Sequence, residues 1–221
     1  MKRIQILLAD DHRIFLDGLR SLLEPGFEIV GMVEDGRTLV SFVQKLRPDV
    51  IVVDISMPSL NGIEAVRQIK KLDPQVKVVL LTMHADVTYA IRAFEAGASA
   101  FVLKHSASSE LLMAISEAIK GRTYVTPMIA GELMQSYMER ARRQPNGTQQ
   151  LTSRQCEILQ LLAEGYSAKE IAEVLKISVR TVEFHKYGLM SKLNLKTNSD
   201  LVQFAIKHGI IATECLKGIP N

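Results

Sequence analysis

Five positions in the first half of this 221-residue chain carry side chains suited to phosphoryl chemistry. Asp54 ends the apolar run Val50-Ile51-Val52-Val53. Asp10 and Asp11 end an earlier run, Thr82 a later one, and Lys104 the last. Continuous apolar runs of this kind are expected of strands buried on both faces of a parallel sheet. In open α/β sheets the carboxyl ends of such strands are where ligands and chemistry sit. Three carboxylates converging without a cation repel one another and raise each other's pKa. A hard divalent ion such as Mg2+, which takes one or two carboxylates plus water and phosphate oxygens, resolves that conflict. A hydroxyl and an ammonium beside the ion supply donors for a phosphoryl oxygen. Singly, each residue has a plainer explanation: Asp11 as a helix cap, Thr82 as a β-branched strand residue, Lys104 as a solvated charge. Their joint placement favours a phosphoryl group held on or next to Asp54.

The elements that position these residues alternate regularly. Residues 4–9 read as a strand. A helical face of Phe15, Leu16, Leu19, Leu22 and Leu23 follows and stops at Pro25-Gly26. Residues 28–33 are a second strand, and 38–46 a helix closed by Pro48. After the third strand, Pro58 and Asn61-Gly62 turn the chain, and Ile63, Val66 and Ile69 stripe the next helix. Residues 77–82 are strand four. Residues 86–96 are a helix with Gly97 suited to a left-handed cap. Residues 100–104 are strand five, and 109–120 a helix ended by Gly121. Five strand–helix units predict a doubly wound, five-stranded parallel α/β sheet. Right-handed crossovers bring all the strand ends to one edge.

Composition excludes several classes. No apolar run approaches the roughly 20 residues of a membrane span. The amino terminus is too short in apolar residues for a signal-peptide core, so a cytoplasmic protein with no membrane partner is expected. Cys156 and Cys215 form no C-x-x-C pair and read as two reduced thiols. Residues 1–120 hold 14 basic and 15 acidic side chains, and residues 121–221 hold 13 and 9. The excess of positive charge in the second half is a weak pointer to nucleic acid.

From Tyr124 to about Tyr137 the pattern is helical, with Met128, Ile129, Leu133 and Met134 assigned to one face. The stretch ERARRQPNGTQQ at 139–150 is polar, basic and turn-rich, with Pro145-Asn146-Gly147 as its breaker. Arg140, Arg142 and Arg143 suit either DNA phosphate or a solvated tether. This predicts three parts: a first domain over 1–122, a linker over 123–150 with one helix and a flexible polar segment, and a second domain over 151–221.

The second domain reads as all-α, with four helices. Thr152 with Gln155 and Ser167 with Glu170 form capping boxes. Ile158, Leu159, Leu161 and Leu162 face a core, as do Ile171, Ala172 and Leu175. Lys176-Ile177 is a tight connection, and Ser178 caps a longer helix to about Leu193. Asn198 or Ser199 caps a last helix carrying Leu201, Val202, Ala205 and Ile206, ended by Gly209. A short helix, a tight turn and a longer helix make a helix-turn-helix whose second member reads the major groove. Val182, Leu189 and Leu193 form that helix's core stripe, with Arg180, Phe184, Tyr187 and Ser191 opposite and Glu183 at the flank. Phe184 suits a thymine methyl, Glu183 a cytosine amine, and Arg180 a phosphate or guanine. The alternative is that Phe184 and Tyr187 pack on another helix or on the first domain.

Residues 4–121 resemble a response-regulator receiver domain through LLADDH at 7–12, VVDISMPSLNG at 52–62, LLTMHAD at 80–86 and FVLKHS at 101–106. The segment at 151–193 resembles the LuxR-type helix-turn-helix, and the whole chain resembles a NarL/FixJ-family response regulator. The resemblance implies that Asp54 accepts a phosphoryl group from a sensor histidine kinase. It implies Mg2+ on Asp10, Asp11, Asp54 and the Ser56 carbonyl. Thr82 and Lys104 then engage the phosphoryl group, Phe101 holds the aromatic switch position, and Ser56 and His84 tune phosphate lifetime. On the DNA side it implies Glu183, Phe184 and Tyr187 near bases, with Thr181, Lys186 and Lys192 near phosphate. It also implies promoter DNA as a partner, a homodimer on phosphorylation and RNA polymerase as a further partner; the apolar Leu201, Val202, Ala205 and Ile206 of the last helix suit either a dimer contact on DNA or completion of the four-helix core. Met83 stands where many receivers keep a small residue, and Ala168 where Asn is commonest.

The expected function is therefore a phosphorylation-regulated DNA-binding transcription regulator, not an enzyme beyond accepting and slowly losing its own phosphoryl group. One alternative is a phosphorylation-independent regulator using the first domain to dimerise; the intact acidic pair, Thr82 and Lys104 weigh against it. Another is a phosphatase-like enzyme with Asp54 as nucleophile. Such enzymes carry a second acid two residues on, where Ser56 stands here.

Overall fold

In the computed structural model, which describes residues 3–106, 108–142, 151–208 and 210–211, the chain forms two compact units, Met1–Gln144 and Pro145–Asn221. Pro145-Asn146-Gly147, Arg143, Gly209 and Cys215 lie outside the described residues, as do the side chains of Arg140 and Arg142.

The first unit runs β1 (Gln5–Ala9), α1 (Arg13–Leu23), β2 (Glu28–Val33), α2 (Gly36–Leu46), β3 (Val50–Asp54), α3 (Gly62–Leu72) and β4 (Lys77–Thr82). It continues with α4 (Val87–Ala96), β5 (Ala100–Leu103), α5 (Ser108–Ile119), β6 (Tyr124–Val125) and α6 (Pro127–Arg142). All strand pairings are parallel, in the order β2-β1-β3-β4-β5-β6. This is the doubly wound sheet expected, with one added edge strand. Strand side chains alternate between two cores. Leu7, Ile51, Val53, Val78, Leu80 and Phe101 pack under α2, α3 and α4. Ile6, Leu8, Val50, Val52, Val79 and Leu81 pack under α1 and α5. Because β3 is central, every one of its residues is buried. Each fully buried Ile, Leu or Val there contributes about 1.5–3 kcal/mol relative to exposure.

Local signals fix how the chain leaves the strand ends. Asp35 caps α2, accepting from the Arg37 and Thr38 backbone N–H groups, so that helix begins at Gly36, two residues before the expected start. Asn61 caps α3, and Asp86 caps α4. Gly62 opens α3 directly behind the active strand: a Cβ there would collide with the Asp54 carbonyl oxygen, so the approach requires glycine.

The segment after α5 departs from expectation. Tyr124 and Val125 pair with Ala100 and Phe101 as a sixth strand, and the helix begins only at Pro127, a favoured first helical residue. Helix α6 belongs to the first unit, which therefore extends beyond residue 122. Ile129 and Leu133, spaced i and i+4, join the core beside α4. Met128 and Met134 do not share their face; each is 62% exposed, because each is turned roughly 100° from the buried pair.

The second unit holds α7 (Ser153–Ala163), α8 (Ala168–Leu175), α9 (Val179–Leu193) and α10 (Asn198–Lys207) around Ile158, Leu159, Leu161, Ile171, Val182, Leu189, Leu201 and Ala205. Both expected capping boxes form. The cap of α10 is Thr197, not Asn198 or Ser199: its hydroxyl accepts from the Asp200 N–H while the Asp200 carboxylate accepts from the Thr197 N–H. An acid three residues on completes a reciprocal box only for Thr197. Arg154 pairs with Glu157 and donates to the Leu175 carbonyl at 3.1 Å, tying α7 to the end of α8. Lys176 in the left-handed region makes the tight turn into α9.

Candidate functional site

The parallel register assembles the site. Ile6–Ala9 of β1 lie beside Val50–Val53 of β3, so Asp10 follows Ala9 at the level where Asp54 follows Val53. Asp54 lies beside Leu81, and Thr82, the last residue of its strand, beside Leu103, so Lys104 emerges one step beyond the last paired residue of its own strand. The Lys104 N–H donates to the Thr82 carbonyl at 2.7 Å, which fixes where the lysine leaves the sheet.

One atom of each of Asp10, Asp11, His12 and Asp54 lies within 4.8 Å of the others. Asp10 and Asp54 are buried, and Asp11 is partly open. The Lys104 ammonium is 2.7 Å from Asp10 Oδ2 and 3.0 Å from Asp54 Oδ2. His12 Nδ1 lies 2.9 Å from Asp11 Oδ1 and 3.4 Å from Asp10 Oδ1, and the His12 N–H donates to Asp10 Oδ1. Beyond these contacts with Lys104 and His12, Asp10 Oδ2 and Asp11 Oδ1 accept no hydrogen bond, although both atoms are buried. Such oxygens are costly unless another donor or a cation meets them.

The electrostatics follow from burial and pairing. Burial pushes the Asp54 carboxyl above the usual carboxylate range, and Asp10 adds to that; the Lys104 ammonium and the Ser56 backbone N–H oppose it without cancelling it. Burial pulls Lys104 down, but Asp54 and Asp10 together outweigh it, so the ammonium stays charged. Three carboxylates facing one ammonium leave an unbalanced negative cluster of oxygen donors. Hard divalent cations are bound by such sets. The residues present therefore fit such an ion.

Around this cluster, the Thr82 hydroxyl is fully buried and accepts from the His84 N–H at 3.0 Å. The His84 ring stacks on Tyr89 at 5.1 Å. Phe101 is fully buried in the core under α4, and Met83 is exposed. The Phe15 ring lies 4.6 Å from the Lys104 Nζ. Sequence reasoning missed two of these partners. His12 directly follows the acidic pair, a signal that was available. Phe15 read only as part of an apolar helix face.

In the second unit the face of α9 opposite Val182 and Leu189 is open. Phe184 is 74% and Tyr187 67% exposed, and Arg180 is exposed. Glu183, Lys186 and Lys192 are partly exposed, as is Thr181, whose hydroxyl lies 2.8 Å from that of Ser178. Glu183 and Lys186 also line a cleft of about 290 Å³ with Tyr166, Ser167 and Asn198. Among the described residues no helix is long and apolar enough to cross a membrane.

Comparison with known proteins agrees with both units. The family model of the response regulator receiver domain matches residues 6–116, and that of the bacterial regulatory proteins, luxR family, matches residues 149–205. The chain is 36% identical to the transcriptional regulatory protein DegU of Brevibacillus brevis over 94% of both chains. It is 34% identical to the oxygen regulatory protein NreC of Staphylococcus carnosus over 94% of this chain and 99% of that one. Among solved structures, the response regulator RcsB of Salmonella typhimurium is 28% identical, with a TM-score of 0.65, over 94% of this chain and 99% of RcsB. RcsB bound to promoter DNA in the presence of phosphomimetic BeF3− gives a TM-score of 0.58 at 28% identity, over 92% and 98%.

Proposed function

The chain belongs to the NarL/FixJ family of response regulators, which join a receiver domain to a LuxR-type helix-turn-helix, and from that premise we propose how this DNA-binding transcription regulator is switched. Asp54 is the phospho-acceptor, and a sensor histidine kinase is the donor. A carboxylate oxygen of Asp54 attacks the phosphorus of a phosphohistidine; the P–O bond forms, the P–N bond breaks, and the departing imidazole takes its proton from solvent. Mg2+, held by Asp10, Asp11, Asp54 and the Ser56 carbonyl, would neutralise the phosphoryl oxygens. Lys104 follows the negative charge outward from the Asp54 carboxylate to the phosphoryl group. The Thr82 hydroxyl turns from its bond with the His84 N–H to donate to a phosphoryl oxygen, and Phe101 repacks in the space released. Ser56 and His84, flanking the phosphoryl group, set its lifetime. The acyl phosphate carries about −1.5 to −2 charges in place of the single charge of the carboxylate, and a change of this kind can bias a packed two-state element.

The output is promoter binding in the cytoplasm. Helix α9 enters the major groove with Glu183, Phe184 and Tyr187 toward bases and Arg180, Thr181, Lys186 and Lys192 toward phosphate or base edges. Two copies bind together, and RNA polymerase is the downstream partner. The observation that carries this reading is the Lys104 ammonium shared between Asp10 and Asp54. Incubation with acetyl phosphate and Mg2+ tests it: wild type takes up one phosphoryl group, whereas Asp54→Asn takes up none. Uptake by Asp54→Asn at the wild-type rate would assign the acceptor elsewhere.

A further inference from the structure

We propose that Phe15 is a positioning residue for phosphoryl transfer to Asp54, its ring face holding the Lys104 ammonium in the site. The inference rests on the reading of Asp54 as acceptor and concerns a residue outside the acidic cluster and the strand ends.

Lys104 has a flexible four-carbon stem carrying a compact, strongly hydrated charge. The structure gives its ammonium contacts of two kinds. Asp10 and Asp54 hold it on one side, and the Phe15 ring on α1 lies 4.6 Å away. That distance is within the range in which an aromatic face attracts a cation. Both carboxylate contacts change during the reaction: Asp54 becomes an acyl phosphate, and Asp10 is a ligand that a divalent cation competes for. The Phe15 ring is uncharged, is not altered by the chemistry and does not compete for the metal. It therefore keeps the ammonium from swinging into solvent while its anionic partners are exchanged. Phe15 is also only partly buried, packed at the margin of the core under α1 and not within it. A purely structural role predicts sensitivity to apolar bulk; the positioning role predicts sensitivity to the aromatic face.

The test is the initial rate of phosphoryl uptake from acetyl phosphate with saturating Mg2+, in the full chain. Phe15→Leu and Phe15→Met keep apolar volume and are expected to slow uptake roughly two- to five-fold, the rate equivalent of one cation–π contact. Phe15→Trp and Phe15→Tyr, which keep the ring face, are expected to restore at least half the wild-type rate. In a Lys104→Met background, Phe15→Leu is expected to cause no further slowing, because there is no ammonium left to hold. Wild-type rates in Phe15→Leu and Phe15→Met would overturn the inference. So would an equal slowing with and without Lys104, which marks a structural role. If wild type took up no phosphoryl group at all, the Asp54 reading would fall and this inference with it.

Discussion

Lys104 lies closer to Asp10, at 2.7 Å, than to Asp54, at 3.0 Å. The lysine is thus shared between the carboxylate proposed to receive a phosphoryl group and one proposed to hold the metal. An ammonium in that position compensates burial of two acids before phosphorylation and has only a short way to travel afterwards. Replacing it by an apolar chain of similar length leaves the charge on Asp54 unanswered in the transition state. Lys104→Met is expected to slow uptake from acetyl phosphate by about 10²-fold, the usual loss on removing one positioned donor. Stopped-flow or radiolabel rates check this.

Cation binding should stabilise the first unit measurably. Asp10 Oδ2 and Asp11 Oδ1 are buried acceptors with no hydrogen bond beyond their contacts with Lys104 and His12. At a Mg2+ concentration about 100 times its Kd, binding to the folded state alone adds about 2.7 kcal/mol. Urea unfolding of wild type should shift by that amount between Mg2+ and chelator. Asp11→Asn should shift by much less, because it removes a ligand without disturbing the Lys104 pair.

Thr126 ties the receiver's last strand pair together. It is 3% exposed; its N–H donates to the Phe101 carbonyl at 3.0 Å, and its hydroxyl accepts from the Leu103 N–H at 3.1 Å. Thr126→Val keeps the shape but strands the buried Leu103 N–H. The expected cost is about 1–3 kcal/mol of unfolding free energy. Thr126→Ser, which restores the acceptor, should recover most of it.

The helix-turn-helix unit should lose stability in acid through its capping acids. Backbone N–H groups of Lys196 and Thr197 hold Asp200 below its ordinary value, and the Ser167 hydroxyl and N–H do the same for Glu170. A depressed folded-state pKa gives stability that is present above the unfolded value of about 4. It is lost as pH falls through the lower folded value. The melting temperature of this unit should therefore fall below about pH 4 in wild type. Asp200→Asn should flatten part of that dependence.

On α9, Phe184 and Tyr187 are exposed while Val182 and Leu189 form the core. Phe184→Ala and Tyr187→Ala should weaken specific DNA binding without lowering the melting temperature. Lys186→Ala should weaken binding to all sequences alike and reduce the salt slope by about 1. A fall in stability with unchanged DNA affinity would instead make the aromatics packing residues.

Much of the site could be read from the chain because strand ends are marked twice. Val50-Ile51-Val52-Val53 can only be a buried strand, and crossover handedness then brings Asp10, Asp54, Thr82 and Lys104 to one edge. Side-chain reach is not marked in this way. Phe15 belonged to an apolar helical face, and nothing in its spacing showed that its ring would meet Lys104. Two-residue β6 is too short for a periodicity, so Tyr124 and Val125 read as helix. Thr197, Asn198 and Ser199 are all competent caps, and the choice depended on which residue has an acid three positions on.

The most direct test of the whole account is a gel-shift titration with DNA selected from a random pool by the full chain. Wild type with acetyl phosphate and Mg2+ is expected to bind the selected sequence at least tenfold more tightly than without phosphodonor, with a strong dependence on salt, and Asp54→Asn to show no such gain. Equal affinity of wild type and Asp54→Asn under phosphorylating conditions would contradict it.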